Sequence, residues 1–210
     1  MIRIIKTLCA LLIATPVWAD GEPAGDFDYY VLSLSWIPNW CELEGDDRRA
    51  PECREEGRGW SVHGLWPQYD YGWPSNCRTS ERDPSRMMTR AQTDVFGNSG
   101  LAWYQWQKHG RCSGLSAEAY YDAARKAFEM IEMPEILRQI PREMSLRPSV
   151  VEAAFLEVNP DMIADGITMT CKAGMIQEAR ICLTKDLELR ECGADARNDC
   201  SYEADIFPLR

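Results

Sequence analysis

The feature that most limits how this chain can fold is its cysteine content. The sequence has nine cysteines, one at position 9 and eight between residues 41 and 200. If Cys9 is removed with an export signal, the even number that remains is typical of an exported protein with four disulfides. Eight cysteines can pair in roughly a hundred ways, so the count alone leaves the pairing open.

The first residues have the pattern of an export signal. Two basic residues precede a short apolar run over residues 8–17, which is too short to span a bilayer. Val17-Trp18-Ala19 fits the small-residue cleavage rule. The alternative is a frayed apolar terminus. We therefore expect a signal peptide over 1–19, one domain over 20–210, location in the periplasm or the medium, and no membrane association.

The charge of the mature chain limits its partners. The signal contains two of the 23 basic residues and none of the 33 acidic ones, so 21 basic residues remain and the net charge becomes −12. A strongly acidic chain does not adhere broadly to nucleic acid or to anionic membranes. A nuclease with a small local site remains compatible, and weak non-specific RNA binding is expected.

The hydrophobic pattern predicts an α+β domain with a mainly antiparallel sheet and packed helices. Strands are expected at 29–36, at 60–63 with an end at Gly64, and in a hairpin of 167–171 with 176–183. Residues 42–59 and 66–86 are expected to be loops. The expected helices are Met87–Phe96, Leu101–His109, a helix capped by Ser116 that runs to Met130, and Val150–Val158 behind a capping box of Ser149 and Glu152.

The only two histidines are each followed by glycine, at His63-Gly64 and His109-Gly110. Imidazole can accept and donate a proton near neutral pH, so two of them across a phosphodiester can cleave RNA without a metal. Lys108 lies beside the second histidine, where a cation can stabilise charge on phosphate oxygens. A single His-Gly pair is more often a turn or a buried core histidine, so composition alone does not establish catalysis.

The longer sequence motifs around the two histidines are more specific than the His-Gly pairs alone. His-Gly-Leu-Trp-Pro from position 63 and Lys-His-Gly-Arg-Cys from position 108 closely resemble the two active-site segments of the ribonuclease T2 family. Residues 27–32 resemble the family's opening strand. Cys171, Cys182, Cys192 and Cys200 resemble the cysteine pattern of its plant members.

The resemblance implies a ribonuclease T2-like fold and assigns roles. His63 would be the general acid, His109 the general base, and Lys108 the cation that stabilises the pentavalent phosphorus. The implied disulfides are Cys41–Cys53, Cys77–Cys112, Cys171–Cys200 and Cys182–Cys192. The implied function is endonucleolytic cleavage of single-stranded RNA to 2′,3′-cyclic phosphate ends, without metal or cofactor and without DNA cleavage. We expect a monomer.

Two departures from the family pattern concern Tyr104 and Gln105, where most relatives have His-Glu. Tyr104 can donate a hydrogen bond to phosphate but brings no charge. Gln105 can hydrogen-bond the phosphorane but cannot carry a proton or a negative charge. Without a carboxylate nearby, the pKa of His109 is expected to be lower and activity reduced.

Base recognition is expected to involve aromatic and amide side chains. Trp66 and Trp73 occupy positions where the family stacks a nucleobase, a contact that contributes about 1–3 kcal/mol per base. Gln68 replaces an aspartate that reads a purine edge, so base preference is expected to differ. The alternative is that Trp66 belongs to the core.

Three other functions remain open. The chain could be a family member that has lost catalysis and binds RNA or a protein partner. It could be a carboxylate-pair hydrolase, although no spacing singles out a pair. A metal nuclease is disfavoured because Asp and Glu do not cluster with His at ligand spacing.

Overall fold

The computed structural model describes residues 21–210, so the predicted signal peptide, residues 1–19, lies outside the described residues. Among the residues described, no helix is long and apolar enough to cross a membrane.

Six strands form one sheet. They are β1 Tyr29–Trp36, β2 Trp60–Gln68, β3 Met144–Leu146, β4 Ile167–Lys172, β5 Met175–Leu183 and β6 Ala204–Ile206. β1 pairs antiparallel with β2 and with β5, and β5 pairs antiparallel with β4 along its other edge. β6 joins β5 through a single parallel pair and is antiparallel to β3. The predicted α+β class, with a mainly antiparallel sheet, is confirmed.

Within residues 21–210, seven α-helices connect the strands. They are α1 Ile37–Trp40, α2 Arg86–Arg90, α3 Thr93–Phe96, α4 Ser99–Lys108, α5 Ala117–Glu129, α6 Glu135–Arg138 and α7 Pro148–Val158. Helical turns of other types occur at Cys41–Gly45, which is a π-helical turn, and at Pro51–Arg54, Gly110–Ser113 and Ala164–Gly166, which are 3-10 turns. The predicted loop over 42–59 therefore contains two helical turns.

The two faces of β1 serve different purposes. Leu32, Leu34 and Trp36 are fully buried in the main core, together with Tyr120 and Ala124 of α5. Successive side chains of a strand point to opposite faces, so the other face of β1 carries residues 29, 31, 33 and 35. Part of that face forms a smaller apolar cluster with the Cys182–Cys192 bridge, and Trp66 packs against it.

Two helix predictions were wrong in detail. The single helix predicted at Met87–Phe96 is two, α2 and α3, and the hydroxyls of Thr89 and Thr93 bond to carbonyls three residues earlier near the break. The capping box at Ser149 is absent, because α7 begins earlier. Its cap is Arg147, and Pro148 occupies the first helical position, where a missing N–H costs nothing.

Other predicted elements are confirmed. Ser116 caps α5 by accepting a hydrogen bond from the Ala119 N–H at 3.2 Å. β4 and β5 form the predicted hairpin, with Ala173 and Gly174 in the turn. The structure contains the four cystines that the resemblance implies, namely Cys41–Cys53, Cys77–Cys112, Cys171–Cys200 and Cys182–Cys192.

Candidate active site

His63 is the extra residue of a β-bulge in β2. Ser33 of β1 lies opposite Gly64 and Leu34 opposite Val62, so His63 has no partner in that ladder. A bulge changes the direction of the side chain at the extra residue and is frequent beside active sites. The prediction that this strand ends at Gly64 was wrong, because the bulge accommodates the glycine and β2 continues to Gln68.

Gly64 allows two side chains to approach the strand closely. A Cβ at this position would lie 2.1 Å from Nε1 of Trp66 and 2.3 Å from Oε1 of Gln105. Both distances are far below van der Waals contact, so only glycine fits.

The second histidine lies at the end of α4. Asn98 caps the helix by accepting a hydrogen bond from the Leu101 N–H at 2.7 Å. At the other end, the Lys108 carbonyl accepts a hydrogen bond from the Asn76 N–H at 2.8 Å. The Cys77–Cys112 bridge joins the same two segments. The loop after β2 therefore holds the end of α4 that carries Lys108 and His109.

Trp66 brings the two histidines together. Its ring stacks on the His109 imidazole, with centroids 5.2 Å apart and an interplanar angle of 28°. The His63 imidazole meets the Trp66 ring edge-to-face, also at 5.2 Å between centroids. The two imidazoles are therefore no farther apart than twice that distance, which places them at one site.

Gln105 is fully buried beside this ring. Its Oε1 accepts a hydrogen bond from the indole Nε1 of Trp66 at 2.8 Å. Within residues 21–210, the Gln105 amide nitrogen and Nδ1 of His109 are buried without a hydrogen-bond partner. A buried polar atom without a partner is costly, so these two atoms mark a place where hydrogen-bonding capacity is left unused.

His109 is neutral at neutral pH. Burial, followed by the positive charges of Lys108 and His63, lowers the pKa of its imidazole to about 3. The direction agrees with the expectation from Gln105, but the largest cause is burial, which disfavours the charged ring. A neutral imidazole can accept a proton.

Two residues of the site were missed by the sequence analysis, Glu178 and Arg180 of β5. The Glu178 carboxylate is 1% exposed and hydrogen-bonds Nδ1 of His63 through Oε1. Its Oε2 accepts hydrogen bonds from Nε and Nη2 of Arg180 at 2.9 and 2.8 Å. Charged residues at alternate positions of a mainly apolar strand were the available signal.

The charge state of Glu178 follows from these contacts. Burial alone raises the pKa of a carboxyl group, but the hydrogen bonds and charges of His63 and Arg180 outweigh burial and lower the pKa of Glu178 to about 2. The group is therefore ionised and can only accept hydrogen bonds, so Nδ1 of His63 carries the shared proton. The guanidinium of Arg180 also lies over Trp66, 5.2 Å from the ring centroid.

The remaining predicted site residues differ in their exposure and in their contacts. Lys108 Nζ is 5.9 Å from the ring centroid of Tyr104, which is half exposed. The Gln68 amide is buried and donates to the Pro67 carbonyl at 2.9 Å, whereas Trp73 is 59% exposed. Over the described part of the chain, neither Gln68 nor Trp73 makes a hydrogen bond or ring contact with a histidine.

A cleft of about 790 Å³ opens beside His63. Its lining also includes Ser35, Trp40, Tyr104 and Lys172. The cleft gives a substrate access to the His63 side of the site.

Potential metal donors are not gathered at this centre. Among residues 21–210, the one group of His, Cys, Asp or Glu donors at ligand spacing is Cys41, Asp46 and Cys53. Both thiols are joined in a disulfide and cannot act as thiolate ligands.

Comparison with known proteins decides the family. The profile of the Ribonuclease T2 family matches residues 27–192, which include both histidines, Lys108, Glu178 and Arg180. The chain belongs to the ribonuclease T2 family. The enzyme class expected from the motifs, a ribonuclease, is thereby confirmed, and so is the predicted T2-like fold.

Individual relatives agree with this assignment. A protein of Aeromonas hydrophila named ribonuclease is 34% identical over 148 residues, a match that covers 70% of this chain and 66% of that protein. Ribonuclease T2 protein rnst-2 of Caenorhabditis elegans is 27% identical, with 93% and 77% of the two chains covered. The crystal structure of RNase NT in complex with 5′-AMP has the same fold, with a TM-score of 0.70 at 22% identity, and the match covers 88% of this chain and all of that one.

Proposed function

We propose that this T2-family ribonuclease cleaves single-stranded RNA by transphosphorylation, with His109 as general base and His63 as general acid. The observation that carries the proposal is the contact of both imidazoles with the single ring of Trp66. Two proton-transfer groups on one site can act on opposite sides of one phosphorus atom.

The first step uses the neutral state of His109. Its imidazole removes the proton of the 2′-hydroxyl, and the 2′-oxygen attacks the adjacent phosphorus. Lys108, one residue earlier on α4, supplies positive charge to the phosphorane oxygens, and the unpartnered Gln105 amide N–H donates a hydrogen bond to them. DNA has no 2′-hydroxyl and is not cleaved by this step.

The second step uses His63. The bond from phosphorus to the 5′-oxygen breaks, and the imidazolium gives its Nε2 proton to that oxygen. The products are a 2′,3′-cyclic phosphate and a free 5′-hydroxyl, so atoms and charge balance without a metal ion. The cleft beside His63 receives the leaving 5′-nucleoside, and half-exposed Tyr104 at its edge donates to the phosphate.

Other expectations belong to the same proposal. Base stacking on Trp66 or Trp73 and reading of a base by Gln68 would set base preference. Trp73 has the more exposed ring, because Trp66 already contacts both histidines and Arg180. Signal cleavage before Asp20 and export to the periplasm or medium fit the four disulfides. The mature protein is proposed to be a single-domain monomer.

The deciding experiment is product analysis on a defined dinucleoside monophosphate in the presence of a chelator. We expect a 2′,3′-cyclic phosphate from the parent protein and a loss of about 10²–10⁴-fold for His63→Ala. A requirement for added metal, or other products, would refute the mechanism. No hydrolysis by the parent protein, together with retained RNA binding, would favour the alternative that Gln105 suggests, a family member that binds RNA without cleaving it.

A further inference from the structure

The buried carboxylate of Glu178 accepts a hydrogen bond from Nδ1 of His63. We infer that Glu178, held by Arg180, is a positioning residue that fixes the tautomer and direction of the His63 imidazole, so that Nε2 carries the proton given to the leaving 5′-oxygen. This inference rests on the proposed function, in which His63 is the general acid.

The first argument is geometric. β5 lies beside β1, and Glu178 is in register with Ser35, whereas His63 projects from the bulge of β2 on the far side of β1. The Glu178 carboxylate reaches across β1 to His63 and bonds Nδ1. Because the bulge leaves His63 without a partner in the ladder, the hydrogen bond that Nδ1 of His63 donates to Glu178 restrains a ring that the strand itself does not restrain.

The second argument concerns protons. An ionised carboxylate accepts hydrogen bonds only, so the Nδ1 proton of His63 is committed to Glu178. The proton that can leave is then on Nε2, and after transfer the neutral ring keeps Nδ1–H. Fixing one ring nitrogen through its hydrogen bond is how proteins generally select the reactive nitrogen of a histidine.

The third argument is the cost of burying Glu178. A carboxylate that is 1% exposed is stable only when it is paired and hydrogen-bonded. Arg180 meets this need with two hydrogen bonds to one oxygen, which leaves the other oxygen for His63. Arg180 also packs over Trp66, so the carboxylate is tied to the same ring that both histidines contact.

The test compares two leaving groups. A dinucleoside monophosphate needs a proton on its departing 5′-oxygen, whereas uridine 3′-(4-nitrophenyl phosphate) releases a far more acidic phenol that leaves without one. For Glu178→Gln we expect kcat on the dinucleotide to fall by about 10- to 100-fold, the range typical of residues that orient a functional histidine, with KM changed less than about twofold. On the nitrophenyl ester most of that loss should disappear.

Matched variants distinguish a failure of the positioning role of Glu178 from a failure of the acid role of His63. His63→Ala should show the same dependence on the leaving group, and adding Glu178→Gln to His63→Ala should cause no further loss if Glu178 acts only through His63. Asp199→Asn is the control, since its carboxylate bonds Thr168 and the Met169 N–H on β4 and should leave both rates unchanged. Equal losses on both substrates for His63→Ala would overturn the acid assignment itself. A second outcome would overturn only the positioning role. In that outcome His63→Ala depends on the leaving group as expected, but the rate of Glu178→Gln is unchanged or falls equally on both substrates.

A spectroscopic measurement keeps the inference testable if Glu178→Gln does not fold. The chain has two histidines, so the imidazole ¹⁵N spectrum of the parent protein contains two rings. We expect one ring to be protonated at Nδ1 when neutral, with its signal lost in His63→Ala. If the neutral His63 ring carries its proton on Nε2, the positioning role is overturned.

Discussion

The indole Nε1 of Trp66 donates a hydrogen bond to Oε1 of Gln105 at 2.8 Å, and this bond joins strand β2 to helix α4. His63 lies three residues before Trp66 on the strand, and His109 lies four residues after Gln105 on the helix. The distance between the two histidines therefore depends on a contact between residues that are not themselves proton donors or acceptors in the reaction.

Replacing Gln105 by glutamate should raise the rate. The new carboxylate can still accept the Trp66 hydrogen bond, and its negative charge favours protonation of the neighbouring His109, a gain that we expect to exceed the loss of the amide N–H donor to the phosphorane. We expect the pKa of His109, and with it the acid limb of the pH–rate profile, to move up by about 1–3 units, with a higher kcat near neutral pH. Steady-state kinetics between pH 3 and 8 measures both. Gln105→Leu, which also removes the hydrogen bond, should lower kcat. An unchanged rate and profile in Gln105→Glu would contradict the role of this position.

Adding one methyl group at Gly64 should damage the site. A Cβ there would overlap Trp66 Nε1 and Gln105 Oε1, so Gly64→Ala must break their hydrogen bond or move β2 from α4. We expect a destabilisation of about 1–3 kcal/mol and a larger relative loss of kcat. Urea unfolding and kinetics on the same samples check this. Gly100→Ala, where the methyl meets Asn98 Oδ1 at 3.3 Å, should change stability little. Full activity in Gly64→Ala would show that the site tolerates a displaced indole.

Removing the Cys77–Cys112 bridge should affect catalysis as well as stability. The bridge and the hydrogen bond from Asn76 to the Lys108 carbonyl fix the end of α4. The double variant Cys77→Ala/Cys112→Ala should lose about 2–4 kcal/mol of unfolding free energy together with activity. Cys171→Ala/Cys200→Ala removes a bridge of similar sequence separation, 29 against 35 residues, and should mainly lose stability. Equal activity in the two double variants at a temperature where both are folded would argue against this distinction.

The low pKa of His109 predicts acid sensitivity. Its folded pKa is about 3 and its ordinary value 6.5, so between these values the unfolded chain binds a proton that the folded chain does not. The stability due to neutral His109 is complete above pH 6.5 and falls as the pH is lowered toward 3, with a slope of up to about 1.4 kcal/mol per pH unit. Below about pH 4.5 the protonation of Glu178 adds to the loss, since its folded pKa is about 2 against an ordinary 4.5.

The measurement is the free energy of unfolding in urea at several pH values between 7 and 4.5. His109→Gln has no imidazole at this position, so its stability should depend less steeply on pH than that of the parent. Parallel curves for the two proteins would mean that His109 titrates normally in the folded state.

The sequence motifs predicted the site residues on β2 and at the end of α4, but not those on β5. His63, Lys108 and His109 lie in short sequence motifs, and their residue types indicate proton transfer and stabilisation of negative charge. Glu178 and Arg180 lie in an ordinary strand, and only the register of β5 on β1 brings them to the site. That register depends on the packing of the whole sheet, which local spacing does not encode.

The difference between local sequence pattern and sheet packing also explains why one strand boundary was predicted wrongly. A glycine after His63 was interpreted as the end of a strand, because glycine interrupts strand patterns. In the folded protein the irregularity is a bulge of β2 opposite Ser33 and Leu34 of β1, and β2 continues beyond it. Helix α5 was predicted well, since its cap and apolar spacing are local and agree with its packing.

The insertion of β5 between β1 and β4 has a consequence for the timing of activity. A nascent chain that has been made only as far as β4 already contains both histidines and Lys108, yet it lacks the Glu178 carboxylate that hydrogen-bonds the His63 ring. On the proposed mechanism, such a precursor is a poor nuclease. On that mechanism, efficient cleavage begins only once β5 has been made and has docked between β1 and β4.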